Sequence, residues 1–218
     1  MLYENACSNE LLKLLKNIQK NDLFKDHFLV GGTALALQLG HRKSVDIDLF
    51  TLNQQDNSLI LEYLLNNYKT VDIINNRENI LQVFIDDIKV DFIKAKGKLI
   101  EKPIIENGIQ LCDIKDIAGM KLNVINQNTG RVEAKDYIDI AYLIEVLTLE
   151  KMFEIYKWKY DKTDVYSLKL DLLNVDNVNP YSWEKIQMIR NDIFVSDVKK
   201  IIKDAIEGYN KKHKLTYK

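Results

Sequence analysis

The stretch at residues 28–51, FLVGGTALALQLGHRKSVDIDLFT, constrains the fold of this chain more than any other. Its apolar start, Phe28–Val30, predicts a buried strand, and the two glycines that follow let the backbone turn sharply and approach a bound group closely. A short helix over 34–39 is expected next, with Thr33 as its cap and Gly40 at its end. A second strand completes a strand–turn–helix–strand unit.

Two carboxylates, Asp46 and Asp48, are spaced two residues apart in this second strand. Side chains at positions i and i+2 of a strand point to the same face. Two carboxylates on one face, beside the Gly31-Gly32 turn and a helix N-terminus, suit the binding of a triphosphate with Mg²⁺. Taken alone, a Gly-Gly pair is also typical of an ordinary turn, and an Asp-x-Asp pair of a solvated strand face.

A third carboxylate, Asp91, lies in the strand-like segment IKVDFIK. The alternation over 81–94 predicts a hairpin whose turn is Asp86-Asp87. In its second strand Asp91 alternates with the apolar residues Val90 and Phe92, and it therefore falls on the opposite face. Asp91 is a solvated strand residue unless it joins the other two carboxylates.

The order of these motifs resembles the nucleotidyltransferase superfamily of the DNA polymerase β type. Its signature is a hydrophobic residue with Gly-Gly or Gly-Ser, a spacer, Asp-h-Asp/Glu-h, and a third carboxylate on a neighbouring strand. Within that superfamily, GGTALAL followed by HRKSVDIDLF is similar to the AbiEii/AbiGii toxin family. The later segments DIAGMKLNVI and AKDYIDIAYL match that family's Lys and Lys-Asp motifs. The resemblance runs from residue 25 to residue 150.

The resemblance implies nucleotidyl transfer from an NTP with two Mg²⁺ ions. The metal ligands it implies are Asp46, Asp48 and Asp91, and Asp91 is alternatively the base toward the acceptor hydroxyl. The implied catalytic residues are Asp46, Asp48, Asp91 and Asp136. The implied nucleotide-binding residues are Gly31, Gly32, Thr33, Lys121 and Lys135. Strand parity adds Arg42 and Ser44, which share a face with Asp46 and Asp48, so that Arg42 would contact phosphate and Ser44 would lie within reach of the γ-phosphate or metal.

Two of these residues also stand out by their helical positions. Lys121 falls on an apolar helix stripe, where a lysine is costly unless its ammonium finds an anion or reaches water along its stem. Asp136 lies in the first turn of the next helix, where the helix dipole alone favours a carboxylate. The resemblance makes Lys135-Asp136 the motif that faces the nucleotide or activates the acceptor, and Asp139 is the alternative one turn on.

Length and periodicity predict an α+β (mixed α/β) fold in 218 residues, of which 46% are hydrophobic. We expect a nucleotidyltransferase core with a small mixed sheet and an N-terminal helix over 1–100. A helical domain over 101–218 would follow and complete the cleft. The predicted helices of that second part cover 113–128, 133–148, 149–160, 163–174, 182–191 and 196–212.

Several classes of protein are excluded by composition. No apolar run approaches the roughly 20 residues that a membrane-spanning helix needs. Two cysteines, Cys7 and Cys112, are too few for a disulfide framework or a zinc site. The N-terminal residues do not form a secretory signal. We therefore expect a reduced cytoplasmic protein without a membrane partner.

The sequence says less about the acceptor. A net charge of −1 gives no overall attraction to nucleic acid, so an RNA-binding surface must be local. Lysines cluster in two places, and they either track an RNA backbone or form solvated faces. The clusters are Lys89, Lys94, Lys96, Lys98 and Lys102, and Lys199, Lys200, Lys203, Lys211, Lys212, Lys214 and Lys218.

The resemblance supplies the leading hypothesis, a toxin-like enzyme that modifies RNA, in particular tRNA, and has a cognate antitoxin protein. One alternative is a nucleotidyltransferase that modifies a small molecule such as an antibiotic. The other alternative is a non-catalytic module that binds a nucleotide or an antitoxin, against which the three retained carboxylates argue.

Overall fold

The computed structural model describes residues 1–95, 97–126 and 132–213, with every side chain in these ranges except that of Val195. The chain divides into two compact units, an N-terminal unit, Met1–Asp113, and a C-terminal unit, Ile114–Lys218. The connection between the predicted helices over 113–128 and 133–148 lies largely outside the described residues, as do Lys96, Lys214 and Lys218.

The N-terminal unit is built on one mixed sheet. Its strands are β1 (Phe28–Val30), β2 (Ile47–Thr51), β3 (Val71–Arg77), β4 (Ile80–Ile85), β5 (Ile88–Lys94), β6 (Ile104–Glu106) and β7 (Ile109–Leu111). They form a seven-stranded sheet in the order β3-β4-β5-β2-β1-β7-β6. β1 pairs antiparallel with β2, and β2 pairs parallel with β5. The helices of this unit are α1 (Asn9–Gln19), α2 (Gly31–Leu39) and α3 (Asn57–Asn67). The expected mixed α/β class is confirmed.

Two tight turns fix the register of the hairpins β4–β5 and β6–β7. Asp86 and Asp87 have φ values of 47° and 67°, and such a pair of positive values gives the turn twist that suits a two-residue hairpin. The predicted β4–β5 hairpin is thereby confirmed. Asn107 and Gly108 form a similar turn, with φ values of 52° and 76°, between β6 and β7. These two strands lie after residue 100, where we expected only helices.

Helix α2 begins earlier than the sequence indicated. It starts at Gly31, and Val30 occupies the N-cap position without a capping side chain. The prediction that Thr33 caps a helix over 34–39 is therefore wrong, because the Thr33 hydroxyl bonds to the loop before β2 instead. The C-terminal end is as predicted, since Gly40 adopts a left-handed conformation with φ 62°.

Alternation along the central strands separates an apolar face from a polar one. Ile47 and Leu49 of β2 are fully buried, as are Val90 and Phe92 of β5. The residues between them point to the other face of the sheet. Asp48 of β2 and Asp91 of β5 therefore lie on that second face, and the apolar residues on the opposite face are fully buried.

The C-terminal unit is helical in its described residues. Its helices are α4 (Ile114–Asn126), α5 (Ala134–Leu147), α6 (Leu149–Lys159), α7 (Tyr166–Leu173), α8 (Pro180–Glu184) and α9 (Val195–Lys212). Large buried side chains, among them Tyr142, Phe153 and Tyr156, fill its core. The predicted helix over 182–191 is wrong: α8 starts at Pro180, which suits a first helical position, and it ends at Glu184.

None of the helices in the described part of the chain combines the length and the apolar composition that crossing a membrane requires. Cys7 and Cys112 are both buried.

Candidate active site

The turn at Gly31 is held against the carboxylate of Asp48. Val30, the last residue of β1, pairs with Asp48 in the antiparallel register of β1 and β2. Gly31 has a φ of +70°, and a Cβ atom built there would lie 2.2 Å from Asp48 Oδ2. Both the left-handed backbone and the lack of space require glycine at this position. The Gly-Gly pair predicted that the backbone approaches another group closely. In the structure that group is the carboxylate of Asp48.

Arg42 places a positive charge beside the second glycine. A Cβ atom at Gly32 would lie 2.6 Å from Arg42 Nη2. The arginine is buried, and its Nη1 donates to the carbonyl oxygen of Lys43 at 3.0 Å. Gly32 lies in the first turn of α2, where backbone N–H groups and the helix dipole also attract anions. This corner of the fold is therefore suited to phosphate oxygens.

A pair of buried hydroxyls fixes the loop that leads into β2. The Thr33 hydroxyl donates to the carbonyl oxygen of Asp46 and lies 2.8 Å from Ser44 Oγ. The backbone N–H of Ser44 donates to the carbonyl oxygen of Ala6 at 2.9 Å. Thr33 and Ser44 are 1% and 8% exposed. They hold the backbone of Asp46 in place at the start of the strand.

The sheet brings Asp48 and Asp91 side by side. The two are direct partners in the parallel register of β2 and β5, so both side chains leave the sheet on the same face, about 5 Å apart at the backbone. Asp46 lies two residues before Asp48 and just outside the strand. Asp91 is buried, whereas Asp46 and Asp48 are half-buried.

Asp91 uses one of its two carboxylate oxygens for hydrogen bonds. Oδ2 accepts from Gln82 Nε2 at 2.7 Å and from Lys89 Nζ at 2.9 Å. Burial opposes the charge of Lys89. The hydrogen bond to Asp91 and the charges of Asp91, Asp48 and Asp46 outweigh it and raise the pKa of Lys89 above its usual value. The three carboxylates thus act together on one ammonium group.

The residues at this face fit a metal ion that arrives with phosphate. Asp91 Oδ1 is buried and has no hydrogen-bond partner within the described part of the chain, which leaves an oxygen that a cation can use. The same ranges hold no group of three or more His, Cys, Asp or Glu side chains arranged to bind a metal without help. Mg²⁺ is commonly held by one or two carboxylates together with substrate phosphates, rather than by a cage of protein ligands. Asp48 and Asp91, side by side on this face, meet that requirement, and Asp46 lies two residues before Asp48.

The C-terminal unit contains a separate cluster around Lys121. Its ammonium lies 2.9 Å from Asp136 Oδ1 and 2.6 Å from Asp139 Oδ2. All three side chains are at least nine-tenths buried. Lys121, on the apolar stripe of α4, is therefore paired with two carboxylates of α5. Its side chain is buried and does not extend along its stem into solvent.

Asp136 serves two structural purposes at once. Its Oδ2 accepts from the backbone N–H of Glu133 at 3.1 Å, which completes a capping box at the start of α5. Its Oδ1 holds Lys121. Lys135 instead points to the surface side of this turn, where its 43% exposed side chain pairs with Glu133 at 2.8 Å. Helix capping and charge pairing thus both operate at Asp136.

Two residues, Gln82 and Asp139, form polar contacts with predicted site residues that the sequence did not indicate. Gln82 was not singled out, although its place on the polar face of β4, opposite Asp91, follows from the hairpin register. Asp139 entered only as an alternative to Asp136, yet both hold Lys121. Their spacing of three residues on one helix face was the signal that they act as a pair.

Comparison with known proteins supplies a family. The family described as "Nucleotidyl transferase AbiEii toxin, Type IV TA system" matches residues 13–177. Among curated proteins, the uncharacterized protein aq_aa25 of Aquifex aeolicus (strain VF5) is 27% identical over 191 residues, which cover 82% of this chain and 91% of the relative.

Solved structures share the fold at low identity. A candidate nucleotidyltransferase from H. pylori has a TM-score of 0.59 at 17% identity and covers 98% of this chain and 97% of its own. JHP933 from Helicobacter pylori has a TM-score of 0.54 at 18% identity, with coverages of 97% and 94%. The antibiotic-resistance factor ANT(2'')-Ia has a TM-score of 0.52 at 16% identity and covers 67% of this chain and 89% of its own.

The Lys121 cluster leads to a prediction about stability. Changing Lys121→Met keeps the apolar stem but removes the cation between two buried carboxylates. We expect the free energy of unfolding to fall by about 3–5 kcal/mol, because breaking a buried pair from one side leaves uncompensated charge. Denaturant unfolding of the full chain measures this loss.

Lys151→Met provides the matched control. Lys151 pairs with Glu154 at 2.8 Å, but both side chains are more than half exposed. The control should lose less than about 1 kcal/mol, as exposed pairs do. Equal losses in the two variants would contradict a structural role for the Lys121 cluster.

Proposed function

Because the chain belongs to the AbiEii family of nucleotidyltransferase toxins, we propose that it transfers a nucleoside monophosphate from an NTP to an RNA acceptor, in particular tRNA. The observation that carries this proposal is the pairing of Asp48 with Asp91 on one sheet face, next to the Gly31 turn. The acceptor and the toxin role rest on the family.

The N-terminal unit offers a place for each part of the donor. Backbone N–H groups of Gly32 and Thr33, at the start of α2, would receive phosphate oxygens, and the Arg42 guanidinium beside Gly32 would add a fixed positive charge. Ser44 would lie within reach of the terminal phosphate. Asp46, Asp48 and Asp91 would hold Mg²⁺, which when bound stabilises the charge that develops on the attacking and leaving oxygens.

The chemical step is an in-line displacement at the α-phosphorus. The acceptor hydroxyl gives its proton to solvent, and its oxygen forms the new bond to phosphorus. The bond between the α-phosphorus and the bridging oxygen breaks, and its electron pair leaves with pyrophosphate. Asp91 is the alternative acceptor of this proton, but Oδ1, its oxygen without a protein partner within the described residues, cannot hold the metal and act as base at once.

The roles implied for the C-terminal unit stay predictions. Lys121, Lys135 and Asp136 are expected to face the nucleotide or to help activate the acceptor. Their ion pairs account for their positions without a ligand, so a role in transfer has to be measured independently of stability.

An RNA acceptor is supported by exposed lysines on α9. Lys200 and Lys211 are exposed there, whereas Lys199, Lys203 and Lys212 lie within ion-pair distance of acidic side chains. Because acidic side chains offset the charge of those three lysines, the attraction of α9 to a phosphate backbone would be local and moderate. We also propose a cognate antitoxin as partner, on the basis of the family, and the cytoplasm as location, since the chain has two cysteines, too few for a disulfide framework.

The second candidate is a nucleotidyltransferase that acts on a small molecule. It is favoured by the fold shared with the antibiotic-resistance factor ANT(2'')-Ia, which spans 67% of this chain, and by the net charge of −1. The two candidates share the donor site and differ in the acceptor alone.

The donor site is tested by Asp48→Asn. We expect this variant to lose detectable transfer from labelled NTP with Mg²⁺ to total cellular RNA, because it removes a carboxylate that the metal requires. Its thermal stability without metal should not fall, since the change relieves repulsion among Asp46, Asp48 and Asp91.

Asp72→Asn is the control for that experiment. It makes the same chemical change at an exposed position of β3 in the same sheet and should leave transfer unchanged. Transfer near the wild-type rate in Asp48→Asn would contradict the metal assignment.

The acceptor class is tested by salt. Binding of total tRNA should fall by about 0.9 log units per log unit of salt for each phosphate contact on a duplex, and by about 0.7 on a single strand. The double variant Lys200→Gln/Lys211→Gln should show a shallower slope, while binding of the NTP is unchanged. The control Lys13→Gln/Lys25→Gln removes the same charge from exposed positions outside both lysine clusters. A flat salt response, with label in a low-molecular-weight product, would replace the RNA acceptor by a small molecule.

A further inference from the structure

A row of side chains crosses the sheet and ends at Asp91. Asn75 of β3 pairs with Gln82 of β4, and Gln82 pairs with Asp91 of β5. Asp91 in turn pairs with Asp48 of β2. Residues that pair directly across neighbouring strands point to the same face. Two amide side chains therefore stand in line behind the carboxylate pair.

Hydrogen bonds run along this row in one direction. Asn75 Nδ2 donates to Gln82 Oε1 at 3.2 Å, and Gln82 Nε2 donates to Asp91 Oδ2 at 2.7 Å. An amide presents either its oxygen or its NH₂ group to a neighbour. Because Asn75 engages the oxygen of Gln82, the NH₂ group of Gln82 is the end that faces Asp91.

The sheet is irregular at the point where this row begins. The register of β3 against β4 shifts between Ile73 and Asn75. Such a bulge re-aims the side chains that follow it. With the shift, Asn75 lies opposite Gln82 rather than one place along, so the bulge sets up the first hydrogen bond of the row.

We propose that Gln82, oriented by Asn75, is a positioning residue that holds Asp91 Oδ2 and so presents Oδ1 to the metal ion. This inference rests on the proposed function, because the metal site is part of it. Lys89 also donates to Oδ2. Its hydrogen bond helps to orient the carboxylate, but its positive charge repels a metal ion. Gln82 is neutral, so it orients Asp91 without adding a charge that opposes the metal ion.

The consequence is a specific loss of metal affinity. Partners that orient a metal-binding carboxylate from behind change the affinity by about 10- to 100-fold when they are removed. Gln82→Met keeps the length of the side chain and removes its donor, so we expect Mn²⁺ to bind about ten-fold more weakly. Asn75→Ala should weaken binding in the same direction by a smaller factor, because it leaves Gln82 in place without its orienting partner.

The experiment measures Mn²⁺ binding to the full chain with and without a non-hydrolysable NTP analogue, from the electron paramagnetic resonance signal of free Mn²⁺, with a protein-free titration of the analogue as reference. Wild type, Gln82→Met, Asn75→Ala and the double variant form a cycle. In the double variant, Asn75→Ala should add no further loss, because Asn75 acts through Gln82. Lys94→Met is the control, since Lys94 lies on the same strand and donates to Gln54 rather than to a carboxylate.

The outcomes separate the two proposals. Mn²⁺ affinity at the wild-type value in Gln82→Met, with weakened binding in Asp91→Asn, would overturn the role of Gln82 and leave the metal site in place. Wild-type affinity in Asp91→Asn would overturn both. Losses that add in the double variant would show that the two amides act separately, and would overturn the relay from Asn75. Thermal unfolding of each variant without metal shows whether an affinity change reflects a loss of fold.

Discussion

The contact between Gly31 and Asp48 is the constraint on which the proposed site depends. The strand β1 ends at Val30, Gly31 has a φ of +70°, and α2 starts at Gly31. The carboxylate of Asp48 fills the space that a side chain at Gly31 would need. Only glycine satisfies both the dihedral and the space. The parallel pairing of β2 with β5 then sets Asp91 beside Asp48. The turn at Gly31 and the two carboxylates are thus fixed by strand register rather than by flexible loops.

The C-terminal unit uses buried charge for a different purpose. Lys121 lies between Asp136 and Asp139, and Lys159 pairs with Asp116, which is fully buried. Both lysines connect α4 with a neighbouring helix. Such pairs add little stability compared with an apolar core, but breaking one from one side is costly. Buried pairs therefore limit which substitutions this unit tolerates, and mutational tests of a role in transfer have to measure stability as well.

The sequence predicted what depends on local pattern. The β4–β5 hairpin follows from alternation and the Asp86-Asp87 turn, and the polar face of Asp91 from the same alternation. Contacts between distant segments were not readable in this way. The sequence predicts that Thr33 caps its own helix, because threonine is a preferred N-cap residue. Its bond to the backbone of Asp46 forms only after the loop before β2 has folded back onto α2. The role of Gln82 likewise depends on which strands become neighbours.

The central claim is that Asp46, Asp48 and Asp91 hold the metal of a bound NTP. Crystals of the full chain grown with Mn²⁺ and a non-hydrolysable NTP analogue test it directly, through anomalous scattering from the metal. The account predicts an anomalous peak within about 2.0–2.3 Å of carboxylate oxygens of Asp48 and Asp91, with phosphate oxygens of the analogue at the start of α2. An analogue bound with its metal away from these carboxylates would contradict it.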